Sequence, residues 1–157
     1  MTKVLFISST GGHLNELMQL DFEKYDYTIV TEKTDSDKDL KDKYKNKVYY
    51  LAYGTRKTPI RYFFILLFNF FKSLGIFLKT KPKVIVTTGT HTAVPMCYIA
   101  KLFGAKIIWI ETFANRNTKT LAGRLVYPIA TTFVVQWEEM KKLYSKAEYW
   151  GWIYWYL

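Results

Sequence analysis

Short apolar runs alternate with longer amphipathic or polar stretches along this 157-residue chain. Apolar runs of four to eight residues bounded by turn signals predict buried strands, and a 3.6-residue period predicts helices. Strands are predicted at residues 3–8, 26–31, 47–51, 83–88, 106–111 and 132–136, with a short one near 147–150. Helices are predicted at residues 13–20, 60–79, 92–103, 120–129 and 137–144. This alternation is typical of βαβ units, so we expect an α/β domain: a Rossmann-like parallel sheet with helices on both faces.

The stretch from Pro59 to Lys79 differs from the other predicted helices in its wide apolar arc. At about 100° per residue, its basic residues form one narrow stripe and about two thirds of its circumference is aromatic or aliphatic. This pattern favours a helix at residues 60–79 that lies in a bilayer interface with the stripe towards lipid headgroups. A buried core helix and a membrane span are alternatives, although Lys72 opposes a span. The expected membrane contacts are Arg61, Phe64, Leu67, Phe68, Phe71 and Lys72.

The net charge of +10 is unevenly distributed: residues 1–42 carry −4 and residues 43–157 carry +14. A one-sided basic field indicates a polyanionic partner, such as an anionic membrane surface or a phosphorylated substrate. Nucleic acid is disfavoured because no recognition motif accompanies the charge. The acidic and basic segment 32–46 is predicted to be a solvated helix or loop without chemistry. Cys97 is the only cysteine, so no disulfide framework is expected, and the start of the sequence lacks a signal-peptide pattern, which predicts a cytosolic protein.

Two of the predicted strands end in the same construction of hydroxyl residues, glycine and histidine. Val4–Ile7 leads into Ser8-Ser9-Thr10-Gly11-Gly12-His13, and Val84–Val86 leads into Thr87-Thr88-Gly89-Thr90-His91. Because ligands of open α/β sheets bind at the carboxyl ends of the strands, we expect both loops to border one crevice. Glycine amides at the start of a helix can bind an anion. A histidine, whose ordinary pKa lies near neutrality, can act as a general base. Two plain strand-to-helix turns are the alternative, and too few ligands are present for a metal site.

Glu111 ends the apolar run Lys106–Glu111 and is the first acidic residue after Asp42. At a strand end it could orient a histidine or accept a sugar hydroxyl; a surface ion pair with Arg116 or Lys119 is the alternative. The polar and basic residues 112–120 that follow are expected to form a loop that brings cations to a phosphate.

The C-terminal segment 149–157 contains six aromatic residues in nine positions. A terminal segment is usually polar unless something covers it, and aromatic clusters are typical of interface hot spots. We therefore expect a protein-partner contact in preference to self-packing or membrane contact. The expected interface residues are Gln136, Trp137, Trp150, Trp152 and Trp155.

Four segments carry a resemblance to a known family: SSTGGHLNEL, VTTGTHTAVP, GAKIIWIETFA and FVVQW. In this order they resemble the membrane-side subunit of two-chain glycosyltransferases, over nearly the whole chain. One branch of that family is the eukaryotic enzyme that adds the second N-acetylglucosamine to dolichol-diphosphate-GlcNAc; the other is bacterial and makes capsule or exopolysaccharide. Eukaryotic members begin with a transmembrane helix that this sequence lacks, so the resemblance is expected to lie with the bacterial branch. It is similar, more distantly, to the N-terminal half of the single-chain transferase that makes lipid II.

The resemblance implies the acceptor-binding, N-terminal half of a GT-B glycosyltransferase as a single domain over residues 1–157. A polyprenyl-diphosphate-linked sugar would bind here at the cytoplasmic face of the membrane, while a partner chain holds the UDP-sugar; no cofactor is expected on this chain. His13 is the predicted general base, with Glu111 as orienting group or alternative base. The predicted diphosphate-binding residues are Ser9, Thr10, Gly11, Gly12, Thr88, Gly89, His91, Arg116 and Lys119. The alternative is a non-catalytic scaffold that anchors and activates its partner.

Overall fold

A computed structural model describes residues 1–54, 57 and 59–154. Over these residues seven strands form one parallel sheet in the order β3-β2-β1-β4-β5-β6-β7. The strands are β1 (Lys3–Ile7), β2 (Asp26–Glu32), β3 (Val48–Leu51), β4 (Val84–Thr87), β5 (Lys106–Ile110), β6 (Thr132–Val135) and β7 (Glu148–Tyr149). Every predicted strand is present within one or two residues of its expected bounds, and the predicted fold class is confirmed.

Five α-helices connect the strands in the described part of the chain. They are α1 (Gly12–Leu17), α2 (Leu40–Tyr44), α3 (Pro59–Thr80), α4 (Val94–Leu102) and α5 (Leu121–Val126). The helix predicted at 137–144 is wrong in type, because residues Glu138–Lys142 form a 3₁₀-helix. A short connector between two strands often takes this tighter winding, and here it brings Met140 into the core.

The core lies on both faces of the sheet, as the alternating side chains of β1 show. Leu5 and Ile7 pack on one face, in the cluster that includes residues of α3, α4 and α5. Val4 and Phe6 point to the other face, where they join residues of α1. Because successive side chains of a strand point to opposite sides, each apolar run of the sequence contributes to both clusters.

Helix α3 packs on the sheet through its more polar edge. Its buried residues are Asn69, Ser73, Ile76 and Phe77. The Asn69 side chain donates to the Ala52 carbonyl oxygen and accepts from the Ala52 amide, both at 2.8 Å, just after β3 ends. Its apolar arc therefore faces outward, with large exposed side chains at Ile60, Phe63, Phe64, Leu67, Phe68, Phe70, Phe71 and Leu78. This excludes the alternative of a core helix covered on nearly all sides.

Among the described residues, α3 is the one helix with the length and apolar composition needed to cross a membrane. Its basic residues border the outward apolar arc, since Lys72 Nζ lies 5.5 Å from the centre of the Phe68 ring. On that side Lys72 and Lys79 line an open cleft of about 760 Å³ with Lys33, Lys41 and Lys45. The helix thus presents an apolar face and an adjoining basic cleft.

The order of the strands places the two Gly-His loops side by side. Strand β1 pairs with β2 on one side and with β4 on the other, so the direction of winding reverses between β1 and β4. Such a reversal opens a crevice at the carboxyl ends of the two strands. The loops after β1 and β4 border this crevice.

Candidate functional site

The two Gly-His loops are joined by direct hydrogen bonds. The Ser9 amide donates to the Gly89 carbonyl oxygen at 3.0 Å. The Thr88 hydroxyl donates to the His13 carbonyl oxygen at 2.6 Å, and the His13 ring returns a bond to the Thr88 carbonyl oxygen. The structure therefore brings together the two loops that the sequence predicted to share a crevice.

His13 is held in one tautomer by its contact with the second loop. Its Nδ1 lies 2.8 Å from the Thr88 carbonyl oxygen, and because a carbonyl oxygen only accepts, Nδ1 carries the hydrogen. The lone pair of the neutral ring then lies on Nε2, on the half-exposed side chain. A histidine fixed in this way presents a proton acceptor in a defined direction.

Two glycines of these loops have backbone conformations that other residues rarely adopt. Gly11 has a φ of +77° and Gly89 a φ of +93°, and a Cβ on Gly89 would lie 3.5 Å from His13 Nδ1. The exposed amides of Gly11 and Gly12 have no acceptor within the described residues, so they are open to an anion. The Gly89 amide donates to the Thr87 hydroxyl instead, and it is not open in this way.

Hydroxyl groups predicted to bind a diphosphate are largely engaged within the protein. Ser9 is buried, and its hydroxyl lies 3.0 Å from the Thr90 hydroxyl. The Thr10 hydroxyl donates to the Asp37 carboxylate. The Thr88 hydroxyl donates to the His13 carbonyl oxygen of the first loop. These side chains brace the two loops, which leaves the glycine amides and the histidine rings as the groups that face the crevice.

Glu32, at the end of β2, is a site residue that the sequence analysis missed. Its buried carboxylate accepts from the Thr92 hydroxyl at 2.6 Å and from the Thr10 amide at 3.2 Å, and it lies 3.6 Å from His91 Nε2. Burial alone raises the pKa of Glu32, but these hydrogen bonds outweigh it and hold the pKa below its ordinary value. Glu32 thus ties β2 to both loops and lies beside the His91 ring. Glu32 did not stand out in the sequence because a segment rich in acidic and basic residues follows it directly.

Glu111 does not reach either histidine, which corrects the orienting role predicted for it. Its carboxylate is 2% exposed and accepts from the Thr120 hydroxyl at 2.9 Å and from the Tyr144 hydroxyl at 3.1 Å. Burial raises the pKa of Glu111, and those hydrogen bonds offset the effect only in part. The alternative of a surface ion pair is also wrong, because the group lies beneath α5, where Gly123 leaves room for it.

The two cations of the loop after β5 are placed away from the glycine loops. Arg116 lies over the Trp137 ring at 4.6 Å and 3.9 Å from the Glu139 carboxylate. Lys119 lies 5.1 Å from the centre of the Tyr144 ring. In this structure both cations therefore contact residues that follow β6, and no contact joins them to the glycine loops within the described residues.

Gln136 is buried, so the prediction that it lies on a partner interface is wrong. It is 2% exposed and donates to Glu16 at 2.9 Å and to the Glu111 carbonyl oxygen at 3.1 Å. The side-chain oxygen Oε1 of Gln136 accepts from the Ile153 amide at 2.9 Å. Glu16 is a second buried carboxylate that the sequence analysis missed, and it also accepts from the Thr112 hydroxyl at 2.7 Å. This network fastens the loop after β5 and the C-terminal segment to the sheet.

The aromatic residues near the C-terminus are partly packed on the protein and partly exposed. Trp137 donates to the Phe113 carbonyl oxygen at 2.8 Å, and the Trp152 ring lies 4.9 Å from the Trp137 ring. Trp150 stays 61% exposed and Trp152 38% exposed, so both still offer surface to a partner. Trp155, also predicted at the interface, lies outside the described residues.

Among the described residues, no group of three or more His, Cys, Asp or Glu side chains could hold a metal ion. The site contains the glycine amides, the oriented ring of His13, the His91 ring and the buried carboxylate of Glu32. That set of groups can bind an anion at the carboxyl edge of the sheet and accept one proton beside it.

Comparison with known protein families gives a match over nearly the whole chain. A family model described as "Oligosaccharide biosynthesis protein Alg14 like" matches residues 4–153. The "UDP-N-acetylglucosamine transferase subunit ALG14" of Candida albicans is 42% identical over 91 residues, which cover 54% of this chain and 42% of that protein. The protein of the same name from Debaryomyces hansenii is 29% identical over 175 residues, which cover 96% of this chain and 75% of that protein.

Solved structures share the fold at low sequence identity. The crystal structure of Acinetobacter baumannii MurG superposes with a TM-score of 0.70 at 17% identity, over 88% of this chain and 43% of that one. The UDP-N-acetylglucosamine 2-epimerase of Rickettsia bellii gives a TM-score of 0.74 at 15% identity, over 98% of this chain and 46% of that one. The chain thus spans less than half of each solved structure, and this likeness concerns the fold alone.

Proposed function

Because the chain belongs to the Alg14-like family of oligosaccharide biosynthesis proteins, we propose that it is the acceptor-binding, membrane-associated subunit of a two-chain glycosyltransferase. The observation that carries the proposal is the junction of the two Gly-His loops, which presents open glycine amides beside His13 Nε2. The relatives named above are subunits of a UDP-N-acetylglucosamine transferase, which supports a partner chain that holds that UDP-sugar.

The acceptor we propose is a sugar linked through a diphosphate to a lipid. The exposed amides of Gly11 and Gly12 at the start of α1 suit the negative charge of the diphosphate. His91, whose Nε2 lies 3.6 Å from Glu32, belongs to the second loop at the same crevice. The sugar would then project towards His13 and towards the partner that carries the donor.

His13 is the proposed general base of the transfer. The acceptor hydroxyl oxygen forms a bond to the anomeric carbon of the donor sugar, while the bond from that carbon to the UDP oxygen breaks. The hydroxyl proton passes to His13 Nε2, and UDP leaves with the electron pair of the broken bond. Glu111 keeps only a positioning role in this proposal, because its carboxylate holds Thr120 and Tyr144 beneath α5.

We place the protein at the cytoplasmic face of a membrane, through α3. Its outward apolar arc, bordered by Lys72 and Lys79, is the arrangement expected of a helix in an anionic interface. The biosynthetic setting is proposed only as far as lipid-linked oligosaccharide assembly. The capsule or exopolysaccharide setting predicted from the sequence has no support from the relatives named above, which are eukaryotic.

Substitution of His13 tests the catalytic proposal in the complex with the donor-binding partner. In His13→Asn the side-chain amide can keep the bond to Thr88 but offers no proton acceptor of comparable basicity. Transfer from radiolabelled UDP-N-acetylglucosamine to the lipid-linked acceptor should fall about 10²- to 10⁴-fold, mainly in kcat. Vesicle binding and co-purification with the partner should be unchanged, and the control Gln19→Ala, in the exposed turn after α1, should keep full activity.

Full activity of His13→Asn would instead favour the scaffold alternative, in which this chain only anchors and activates its partner. Loss of co-purification with loss of activity would show that the substitution disturbs the assembly rather than the chemistry. Measuring kcat, KM and complex formation on the same preparation separates these outcomes.

A further inference from the structure

The basic cleft lies across one edge of the sheet, beside α3. Strand β3 is the edge strand, and its Tyr49 and Tyr50, which pack on opposite faces of the sheet, both line the cleft. Its volume of about 760 Å³ is within the range of sites that hold small organic ligands. The cleft is also lined by five lysines from three segments of the chain: Lys33, Lys41, Lys45, Lys72 and Lys79.

The five lysines have no acidic counterpart in the cleft. Among the described residues no Asp or Glu side chain lines it, and none of the five lysines forms an ion pair. Two of the ammonium groups lie over aromatic rings instead. Lys79 Nζ is 5.3 Å from the centre of the Tyr49 ring, and Lys41 Nζ is 5.5 Å from the centre of the Tyr50 ring. A cleft lined by charges of one sign concentrates ligands of the opposite sign, so this cleft attracts a polyanion.

The fold separates the charges of segment 32–46, which are balanced in the sequence. That segment contains five acidic and five basic residues. The carboxylates of Glu32 and Asp37 turn towards the first Gly-His loop, where both accept from Thr10. Three of the five lysines of the segment line the cleft instead. The Tyr50 hydroxyl fixes the segment against β3, because it donates to the Asp37 carbonyl oxygen at 2.6 Å. A segment without net charge therefore contributes only its basic side chains to the cleft.

The cleft adjoins the outward apolar arc of α3. Lys72 and Lys79 form the wall of the cleft on that helix. Lys72 Nζ lies 5.5 Å from the centre of the ring of Phe68, a residue of the arc that is 54% exposed. A ligand whose charged part lies in the cleft can therefore place an apolar part against the arc. This continuity favours a lipid headgroup over a soluble polyanion.

We propose that the basic cleft binds the headgroup of a membrane lipid that carries two or more phosphate groups. A headgroup with one phosphate would leave most of the five ammonium groups without a partner, whereas several phosphates can pair with lysines on both walls. Clusters of lysines beside a helix that contacts the membrane are typical of sites for such headgroups. The cleft site rests on the membrane attachment through α3 proposed above and is independent of the transfer reaction.

Vesicle sedimentation with the full-length protein tests the cleft. One set of phosphatidylcholine vesicles contains phosphatidylinositol bisphosphate, and the other contains enough phosphatidylserine to give the same zeta potential. The wild type should bind the bisphosphate vesicles about tenfold more tightly, because only that headgroup can bridge several lysines of the cleft. Since the surface charge of the two sets is matched, general attraction to an anionic membrane does not produce this preference.

Two pairs of lysines from the same segment separate the cleft from net charge. Lys33→Gln combined with Lys41→Gln removes two lysines from the wall opposite α3 and should lower the preference from about tenfold to about twofold or less. Lys38→Gln combined with Lys43→Gln is the matched control, because these lysines are exposed and do not line the cleft. The control should keep the preference, and both variants should bind the phosphatidylserine vesicles alike, since their net charge is the same.

Equal binding of the wild type to both kinds of vesicle would overturn the cleft site alone and leave the attachment through α3 standing. A cleft variant that keeps the preference of the control would overturn it as well. Soluble inositol trisphosphate, measured by calorimetry, should bind more weakly than the bisphosphate vesicles. Equally tight binding would mean that the ligand is a free polyphosphate and not a lipid. A wild type that binds neither kind of vesicle would overturn both the cleft site and the proposed membrane attachment.

Discussion

Glu111 and Gly123 form a close contact on which the local structure beneath α5 depends. An ideal Cβ on Gly123 would lie 2.2 Å from the Glu111 carboxylate and 2.7 Å from the Tyr144 hydroxyl, distances that real side chains do not show. Gly123→Ala should therefore push the carboxylate away from its donors and destabilise the protein by about 1–3 kcal/mol. Urea unfolding followed by circular dichroism measures the difference.

Gly75→Ala is the matched control, because Gly75 lies within α3 and a Cβ there meets nothing within 4 Å. In a helix interior this change should be neutral or stabilise by about 0.5–1 kcal/mol. Equal destabilisation by both substitutions would show that the loss comes from replacing glycine in a helix in general and not from the contact with Glu111.

The raised pKa of Glu111 predicts a dependence of stability on pH. Because burial favours the protonated form in the folded state, its contribution to stability is fully present below the unfolded pKa of about 4.5. It is lost as pH rises through the higher folded pKa. The free energy of unfolding of the wild type should therefore rise relative to that of Glu111→Gln as pH falls from 7 towards 5. A difference that is flat over this range, measured by urea titration at each pH, would contradict a raised pKa.

At the scale of elements, the outward apolar face of α3 makes a prediction about membrane attachment. Phe64 and Phe71 are 62% and 61% exposed on that face. Phe64→Glu combined with Phe71→Glu places two charges where the bilayer would lie and should release the protein from vesicles in a sedimentation assay. Tyr149→Glu combined with Trp150→Glu is the control, since these exposed aromatics lie at the opposite end of the sheet. Retention of the α3 variant on vesicles would mean that another surface anchors the chain.

The strands β1, β3, β4, β5 and β6 followed from the sequence because each is an apolar run that the sheet buries on both faces. The orientation of α3 did not, since it depends on the hydrogen bonds of Asn69 with Ala52, a contact made only once β3 has formed. The buried carboxylates were missed for the same reason. Glu32 and Glu16 find their donors 22 to 120 residues away in the sequence, and no local pattern reports such contacts.

At the scale of the whole molecule, the crevice lies at the carboxyl ends of β1 and β4, near the middle of the seven-stranded sheet. The exposed Trp150 and Trp152 lie at the far end of the strand order from the basic cleft. This arrangement supports a division in which one end of the molecule meets the membrane and the other meets the donor-binding partner.

The charge distribution of the molecule predicts how its membrane attachment responds to salt. Lys72 and Lys79 lie between the apolar face of α3 and the basic cleft, and a lysine near an anionic surface contributes about 1 kcal/mol. Lys72→Gln combined with Lys79→Gln should weaken binding to vesicles containing phosphatidylserine about thirtyfold at low salt. High salt should weaken the wild type in the same direction, because charges beyond a Debye length are screened.

Neutral phosphatidylcholine vesicles separate this electrostatic part from the apolar part of the attachment. The double lysine variant and the wild type should bind them equally, because the outward apolar arc is the same in both. Lys141→Gln combined with Lys142→Gln removes the same charge from exposed positions next to β6 and should leave both affinities unchanged. An equal loss from either pair of substitutions would show that net charge, and not the position of the lysines beside α3, controls the binding.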